Sequence, residues 1–350
     1  MQRAVGKFAQ WFSSLDSGEK AEPIPEGLTI VNPKMWPWFT KRIDRAINRK
    51  ALLAQLQKPI AQLGSPPIAI TTLPIVADLM GELPVRSWVY YCVDDFGQWP
   101  GLDGPTLTRM EQIVVQKADR IISAGENLAQ RMQALGRLSK IVTHGVDLEF
   151  WQTPVPPAPE LARFPHPRVA FWGVVDSRLD VLFLRQLHND CPNVTILLVG
   201  PEQAPPPEIH SLSRIIRIGA LPFSKLPSVA AAVDVLIMPY ADLPVTRAMQ
   251  PLKLKEYLAT GRPAVARNLP GNLPWADALD LVDNPLDFVK RILERIETGL
   301  PEAQKMARLR LQQEGWQTKA EQFRELILEG EPDSQSMGNP DPLETTPKGK

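Results

Sequence analysis

The chain has 350 residues, long enough for two domains of ordinary size. Its 39 Lys and Arg balance 39 Asp and Glu, so nothing in the net charge points to nucleic acid. A hydrophobic content of 44% with 22% charge is globular, no uncharged apolar run reaches the roughly 18 residues of a membrane helix, and the N-terminus lacks a signal-peptide core.

Residues 3–15 read as a helix-like segment. From residue 27 to about 145, short apolar runs alternate with amphipathic ones. Strands are predicted at 28–31, 68–71, 87–92, 120–123 and 140–142. Helices are predicted at 42–57 (stopped by Pro59), near 74–80, and at 107–118 and 126–135. Pro154-Val-Pro-Pro-Ala-Pro159 is a stiff, polyproline-like spacer that reads as the domain boundary. A second series follows, with strands at 168–172, 194–199, 215–218, 233–238 and 264–266. Its helices fall at 179–188, 226–232, 251–260, 288–299, 302–314 and 316–328. Alternation of this kind predicts an α/β chain with two parallel sheets covered by helices. The layout divides into a Rossmann-like domain over 1–150, a second over 151–315, a helix over 316–330 packing back on the first, and a disordered tail over 331–350. Cys92 and Cys191 sit in or beside apolar runs and read as reduced, buried thiols; no spacing suggests zinc.

Three strands of the second series end in glycine, at Gly173, Gly200 and Gly219. Ligands of open parallel sheets lie beyond the carboxyl ends of the strands, where glycine lets backbone approach them. The segment PLKLKEYLATGRPAVA, residues 251–266, reads as a helix feeding a buried strand. Pro251 suits the first helical position, Gly261 the left-handed stop, and Pro263 forbids continuation. Lys253 and Glu256 share one helical face beside a helix start that presents free N–H groups. Phosphate at the helix start and a sugar hydroxyl at the carboxylate would match them; a solvated Lys–Glu surface pair is the ordinary alternative.

This segment resembles the donor site of family-4-like glycosyltransferases of the GT-B fold. The resemblance extends over roughly residues 27–330, in the family's order, through WVYYCVDDFGQWPG, ADRIISAGENLAQRM, VTHGVDLEFW, FWGVVDSRLDVLFLRQL, LLVGP and IRIGALPFSKLPSVAAAVDVLIMPY. It implies a retaining transfer of sugar from a nucleotide-diphosphate sugar to a glycan or lipid-linked acceptor in polysaccharide or cell-envelope assembly. It implies no metal and no cofactor beyond that donor. It places the chain in the cytoplasm, with peripheral contact at the inner face of the plasma membrane. Carried onto this sequence, Lys253, Arg178 and the N–H groups near Pro251 and Leu252 would hold the diphosphate. Glu256 would hold the ribose; Tyr240 and Thr246 would lie near the phosphates and sugar, with Gly173 and Gly219 beside the donor. Asp94 would face the cleft from the acceptor side.

Three departures qualify this. A family carboxylate eight residues before Glu256 is Ala248 here, an arginine position after Gly173 is Val174, and the first domain opens without its usual strand and glycine loop. A nucleotide-sugar-binding protein of the same fold that has lost turnover is therefore the second reading. A nucleotide-sugar epimerase is a third, but its carboxylate and histidine find no place in the sequence. Asp94 and Asp95 offer too few ligands for a metal, and Asp94 would serve equally as a turn cap before Phe96-Gly97. His144 reads as a structural residue before the linker. Trp36 and Trp38, with bases through Lys50, suit either an anionic membrane surface or a core-packed pair beside a solvated basic helix.

Overall fold

A computed structural model describes residues 25–329; the predicted helix at 3–15 and tail at 331–350 lie outside them. The first α/β unit contains α1 (Arg42–Ala61), β1 (Ile68–Thr71), β2 (Ser87–Cys92), α2 (Gly104–Lys117), β3 (Arg120–Ser123), α3 (Glu126–Ala134) and β4 (Lys140–Ile141). Its four strands are all parallel and lie in the order β1-β2-β3-β4. After α4 (Leu148–Gln152), the second unit brings β5 (Arg168–Trp172), β6 (Val175–Asp176), α5 (Val181–Asp190), β7 (Thr195–Val199), β8 (Glu202–Gln203), α6 (Pro207–Ser211) and β9 (Ile215–Gly219). It continues with α7 (Leu226–Ala231), β10 (Val235–Met238), α8 (Pro244–Ala248), α9 (Leu252–Ala259), β11 (Ala264–Arg267), β12 (Asp280–Val282), α10 (Pro285–Thr298) and α11 (Glu302–Arg308). A last helix, α12 (Trp316–Leu328), follows.

The second sheet runs β12-β11-β10-β5-β7-β9, all parallel. Numbered by first appearance, that is the doubly wound order, whose direction reverses between β5 and β10. β5, β7 and β10 are buried throughout, which explains their continuous apolar runs. Covering helices close the core; Phe183 of α5 meets Phe288 of α10 at 5.0 Å. The core reaches back before the proline spacer, since Trp151 of α4 stacks on Trp172 at 5.5 Å.

Helices α2 and α3 cover one face of the first sheet, around Tyr90, Met110, Val114 and Leu128. The opposite face is smaller. Val89, Ile122 and Val142 meet Phe323, Leu326 and Ile327 of α12, and Phe323 lies 5.0 Å from Tyr91. The last helix therefore packs on the first sheet.

Several predicted elements are altered. Residues 28–31 form no strand, and Leu28 and Ile30 are 56% and 68% exposed. An apolar run becomes a strand only where a ladder accepts its backbone groups, and among the described residues nothing pairs with the outer edge of β1. Helix α1 continues past Pro59 to Ala61. In the last turn a proline sacrifices only one helical hydrogen bond. Residues 74–78 form a 3-10 turn, and the helix predicted at 302–314 splits into α11 and a 3-10 turn at Leu309–Gln313. Trp36 and Trp38 are each 45% exposed, with rings 4.7 Å apart, so they are not a core pair.

Candidate functional site

The carboxyl ends of β5, β7 and β9 meet at one edge of the second sheet. Gly173 and Gly200 there have φ of +139° and +148°. Gly173 N–H donates to Val199 O at 2.9 Å, and Gly200 N–H to Gly219 O at 2.7 Å. A methyl group on Gly200 would strike the Gly173 carbonyl, and one on Gly173 would strike the Lys253 ammonium. The glycines are required by these close approaches.

Helix α9 points its N-terminus at this edge. Pro251 is its N-cap, not the first helical residue as its sequence suggested; its ψ of 107° is extended, so the helix begins at Leu252. Gly261, with φ of +72°, supplies the left-handed stop. The Lys253 ammonium donates to the Tyr240 hydroxyl at 2.5 Å and lies 4.8 Å from the Phe171 ring centroid. Among the described residues no carboxylate pairs with it. Tyr240 follows β10 and Gly173 follows β5, so Lys253 sits at the reversal point of the sheet.

One turn along, Glu256 accepts a hydrogen bond from the Trp172 indole N–H at 3.2 Å. Burial raises its pKa, opposed by that hydrogen bond and by the Lys253 charge. Trp172 is itself wedged between Trp151 and Tyr257, and its backbone N–H donates to the Tyr257 hydroxyl at 3.0 Å.

Arg178 is 7% exposed. Its Nε donates to both Asp176 carboxylate oxygens at 3.0 Å. The guanidinium lies 5.0 Å from the Trp99 ring, across the cleft, and 5.9 Å from that of Tyr240. It is thus held in place rather than solvated. Asp94 faces it from the first unit, and burial pushes the Asp94 carboxyl up to about 6 against the attraction of Arg178. The cap before Phe96 falls to Asp95, which makes no side-chain cap bond. Asp95 instead accepts from Arg131 at 2.9 Å; Arg131 also pairs with Glu111, which accepts from the Tyr90 hydroxyl at 2.8 Å.

Because the Asp94 pKa lies above its ordinary value, folding favours its protonated form. That stability is full below about pH 4 and is lost as pH rises through about 6. Asp94→Asn is therefore expected to gain about 1–2 kcal/mol at pH 8, allowing for partial solvent screening. The gain should vanish near pH 4. Thermal melts across that range check it; a pH-independent difference would contradict the assignment.

Thr246, in α8, lies beside Tyr240 and Pro251. Its hydroxyl donates to Ala241 O at 2.5 Å and accepts from Leu243 N–H at 2.9 Å, so it caps α8 and is spent on backbone. Leu252 is about half exposed at the helix start, and Gly219 ends β9 with open space where a side chain would stand. A void of about 10 Å³ beside Tyr240, Met249, Pro251 and Asn272 has room for a water only, so a ligand would lie in the cleft outside it. A larger cavity of about 540 Å³ lies by Pro165, His166, Asn193 and Arg214, at the opposite ends of the strands, away from these groups. Sequence reasoning missed Asp176, although it lies only two residues from Arg178, and Trp99 and Trp172, whose roles depend on contacts between distant segments.

The topology agrees with known proteins. Residues 166–298 match the family model described as Glycosyl transferases group 1. Over 82% of this chain and 79% of its own, sucrose-phosphate synthase from Thermosynechococcus elongatus superposes with a TM-score of 0.65 at 18% identity. The fold is GT-B, and the family match falls on the second unit. Anabaena Alr3699/HepE, solved in complex with UDP-glucose, has a TM-score of 0.63 at 17% identity, covering 79% of this chain and 82% of its own. In sequence, 129 residues are 31% identical to the Bacillus subtilis (strain 168) protein named teichuronic acid biosynthesis glycosyltransferase TuaH. That match covers 35% of this chain and 32% of the relative, so the chain spans about a third of that relative's length. Every group described on α9 and at the ends of β5 and β10 lies within the matched residues.

Proposed function

We propose that the protein transfers a sugar from a nucleotide-diphosphate sugar to a glycan or lipid-linked acceptor in polysaccharide or cell-envelope assembly. The observation that carries this is the Lys253 ammonium at the sheet's reversal point, which no carboxylate among the described residues pairs with, with the α9 N-terminus beside it and Glu256 one turn on. The group 1 family match and the UDP-glucose bound by Alr3699/HepE support the same reading.

In the proposed reaction the bond from sugar C1 to the diphosphate breaks and a bond from C1 to an acceptor oxygen forms. Charge grows on the leaving diphosphate, where Lys253, Arg178 and the helix-end N–H groups oppose it. Pro251, Leu252, Gly173 and Gly219 border the donor, and Tyr240 orients Lys253. Glu256 holds the ribose hydroxyls. Asp94 faces the acceptor and takes its hydroxyl proton, for which a pKa near neutrality is suited. Retention at C1 is part of the proposal and rests on the family resemblance; the anomeric signal of the product by NMR tests it. No metal is assigned a role, because these cations and dipoles supply the charge.

Wild type should be stabilised by one class among UDP-, GDP- and ADP-sugars, by about 2.7 kcal/mol at a hundredfold excess over Kd. Thermal shift reads this, and a panel with no shift would remove the donor site. The occluded Arg178, with Ala248 and Val174, favours a second reading, a donor-binding protein without turnover. Nucleotide release on adding acceptor separates the two.

The reading includes a cytoplasmic enzyme in peripheral contact with an anionic membrane. Trp36, Trp38, Ile43 and Ile47 are exposed beside Arg42 and Lys50, a mixture that suits a lipid interface. Among the described residues no helix is long and apolar enough to cross a membrane. The protein should sediment with phosphatidylglycerol vesicles at low salt and be released by high salt; no sedimentation would end this part.

A further inference from the structure

Lys255 lies two residues beyond Lys253, about 200° around the helix, so it points to the other side of α9. It is 3% exposed, which is unusual for an ammonium group. Its three N–H donors meet three acceptors: Thr143 Oγ1 at 3.0 Å, the His144 carbonyl and the Glu314 carboxylate. Glu314 is held in turn by Lys319 at 3.0 Å.

These partners belong to the two places where the chain crosses between the units. Residues 143–146 leave the first sheet after β4, and residues 314–316 lead into α12, which returns to it. The crossings are joined to each other. Val146 N–H donates to Glu314 O at 2.9 Å, Val146 bridges Gly315, and Gly145 sits so close to Trp316 that a methyl group would not fit. His144, buried here beside Lys255, is pushed down to about 4 and stays neutral. The remaining contacts between the units near α9 lie toward the cleft mouth: Asn127 Nδ2 donates to Arg247 O at 2.8 Å, Gly125 abuts Gln250, and Trp99 covers Arg178.

We propose that Lys255 is a positioning residue: it pins α9 to both interdomain crossings and so sets where Lys253 and Glu256 stand relative to the first unit. This rests on the proposed donor site. One rigid helix carries donor groups on one side and the interdomain lock on the other, so movement of the units moves the donor groups as a body.

Lys255→Met keeps side-chain volume and leaves Glu314 paired with Lys319. With UDP-glucose as probe, its UDP-release rate should fall about 10-fold while the Kd for UDP stays within about 2-fold of wild type. Lys255→Arg should restore most of the rate. A wild-type rate in Lys255→Met, a Kd that worsens in step with the rate, or no rescue by arginine would overturn the proposal. If UDP-glucose proves inactive, the donor found in the thermal panel replaces it as probe; if wild type binds none of the UDP-, GDP- and ADP-sugars, the donor reading fails on its own. The lock is then tested by hydrogen exchange in ligand-free protein. Lys255→Met, or Glu314→Gln if that variant does not fold, should exchange faster at 252–259 and 143–146 with the sheets unchanged. Unchanged exchange in those two segments would overturn it.

Discussion

Lys253→Ala is expected to lower kcat/KM for sugar transfer by about 10²- to 10³-fold, the usual effect of removing one preorganised donor from a site of developing negative charge. Lys253 is suited to that role by its surroundings. Its ammonium has a phenol hydroxyl and two aromatic faces for company, but no carboxylate among the described residues to neutralise it. The N-terminus of α9 adds partial positive charge in the same place. A cation left unpaired inside a protein is costly, and an anionic ligand is the natural compensation. Lys253→Arg should rescue poorly, because the ammonium sits between the Tyr240 hydroxyl and the Phe171 ring, a setting fitted to a compact charge and not to a planar fork. Steady-state kinetics with the donor found in the thermal panel give the result. A Lys253→Ala protein with wild-type kcat/KM would remove the central cation from the mechanism.

Glu256→Ala is expected to weaken donor binding by about 30- to 1,000-fold, equivalent to about 2–4 kcal/mol of charge-assisted hydrogen bonding. One carboxylate oxygen is engaged by the Trp172 indole, and that bond with the Lys253 charge keeps the group ionisable despite burial. Because burial raises its pKa, donor affinity in wild type should fall on acidification at a higher pH than an ordinary carboxylate would produce. Glu256→Gln should flatten that acid limb while leaving Trp172 a partner. Calorimetric titrations across pH check both; an unchanged Kd in Glu256→Ala would show that the carboxylate does not grip the donor.

Much of this was legible along the chain. The strands β5, β7 and β10 coincide with largely apolar runs, because a strand buried on both faces has little room for polar groups. The glycines at the ends of β5 and β9, and the Lys253–Glu256 spacing on α9, are local in sequence and were recognisable there. Residues 28–31 mark the limit. Their pattern is that of a strand, but a strand also needs a neighbour, which no local pattern reveals. Thr246 shows the same limit at the site: its position in the loop was legible, its commitment to the backbone of α8 was not.

By itself the sequence determined the alternation of elements, the helix start that offers N–H groups to an anion, and the presence of Lys253 and Glu256 on one face. Those properties depend on neighbours three or four residues apart, and side-chain spacing encodes them directly. Tertiary structure alone decided that Arg178 is covered by Trp99, that Trp172 holds Glu256, and that Lys255 joins α9 to both crossings. Each of those is a desolvated polar group satisfied by a partner distant in the chain. Such pairings arise only when packing removes water and makes each buried donor find an acceptor.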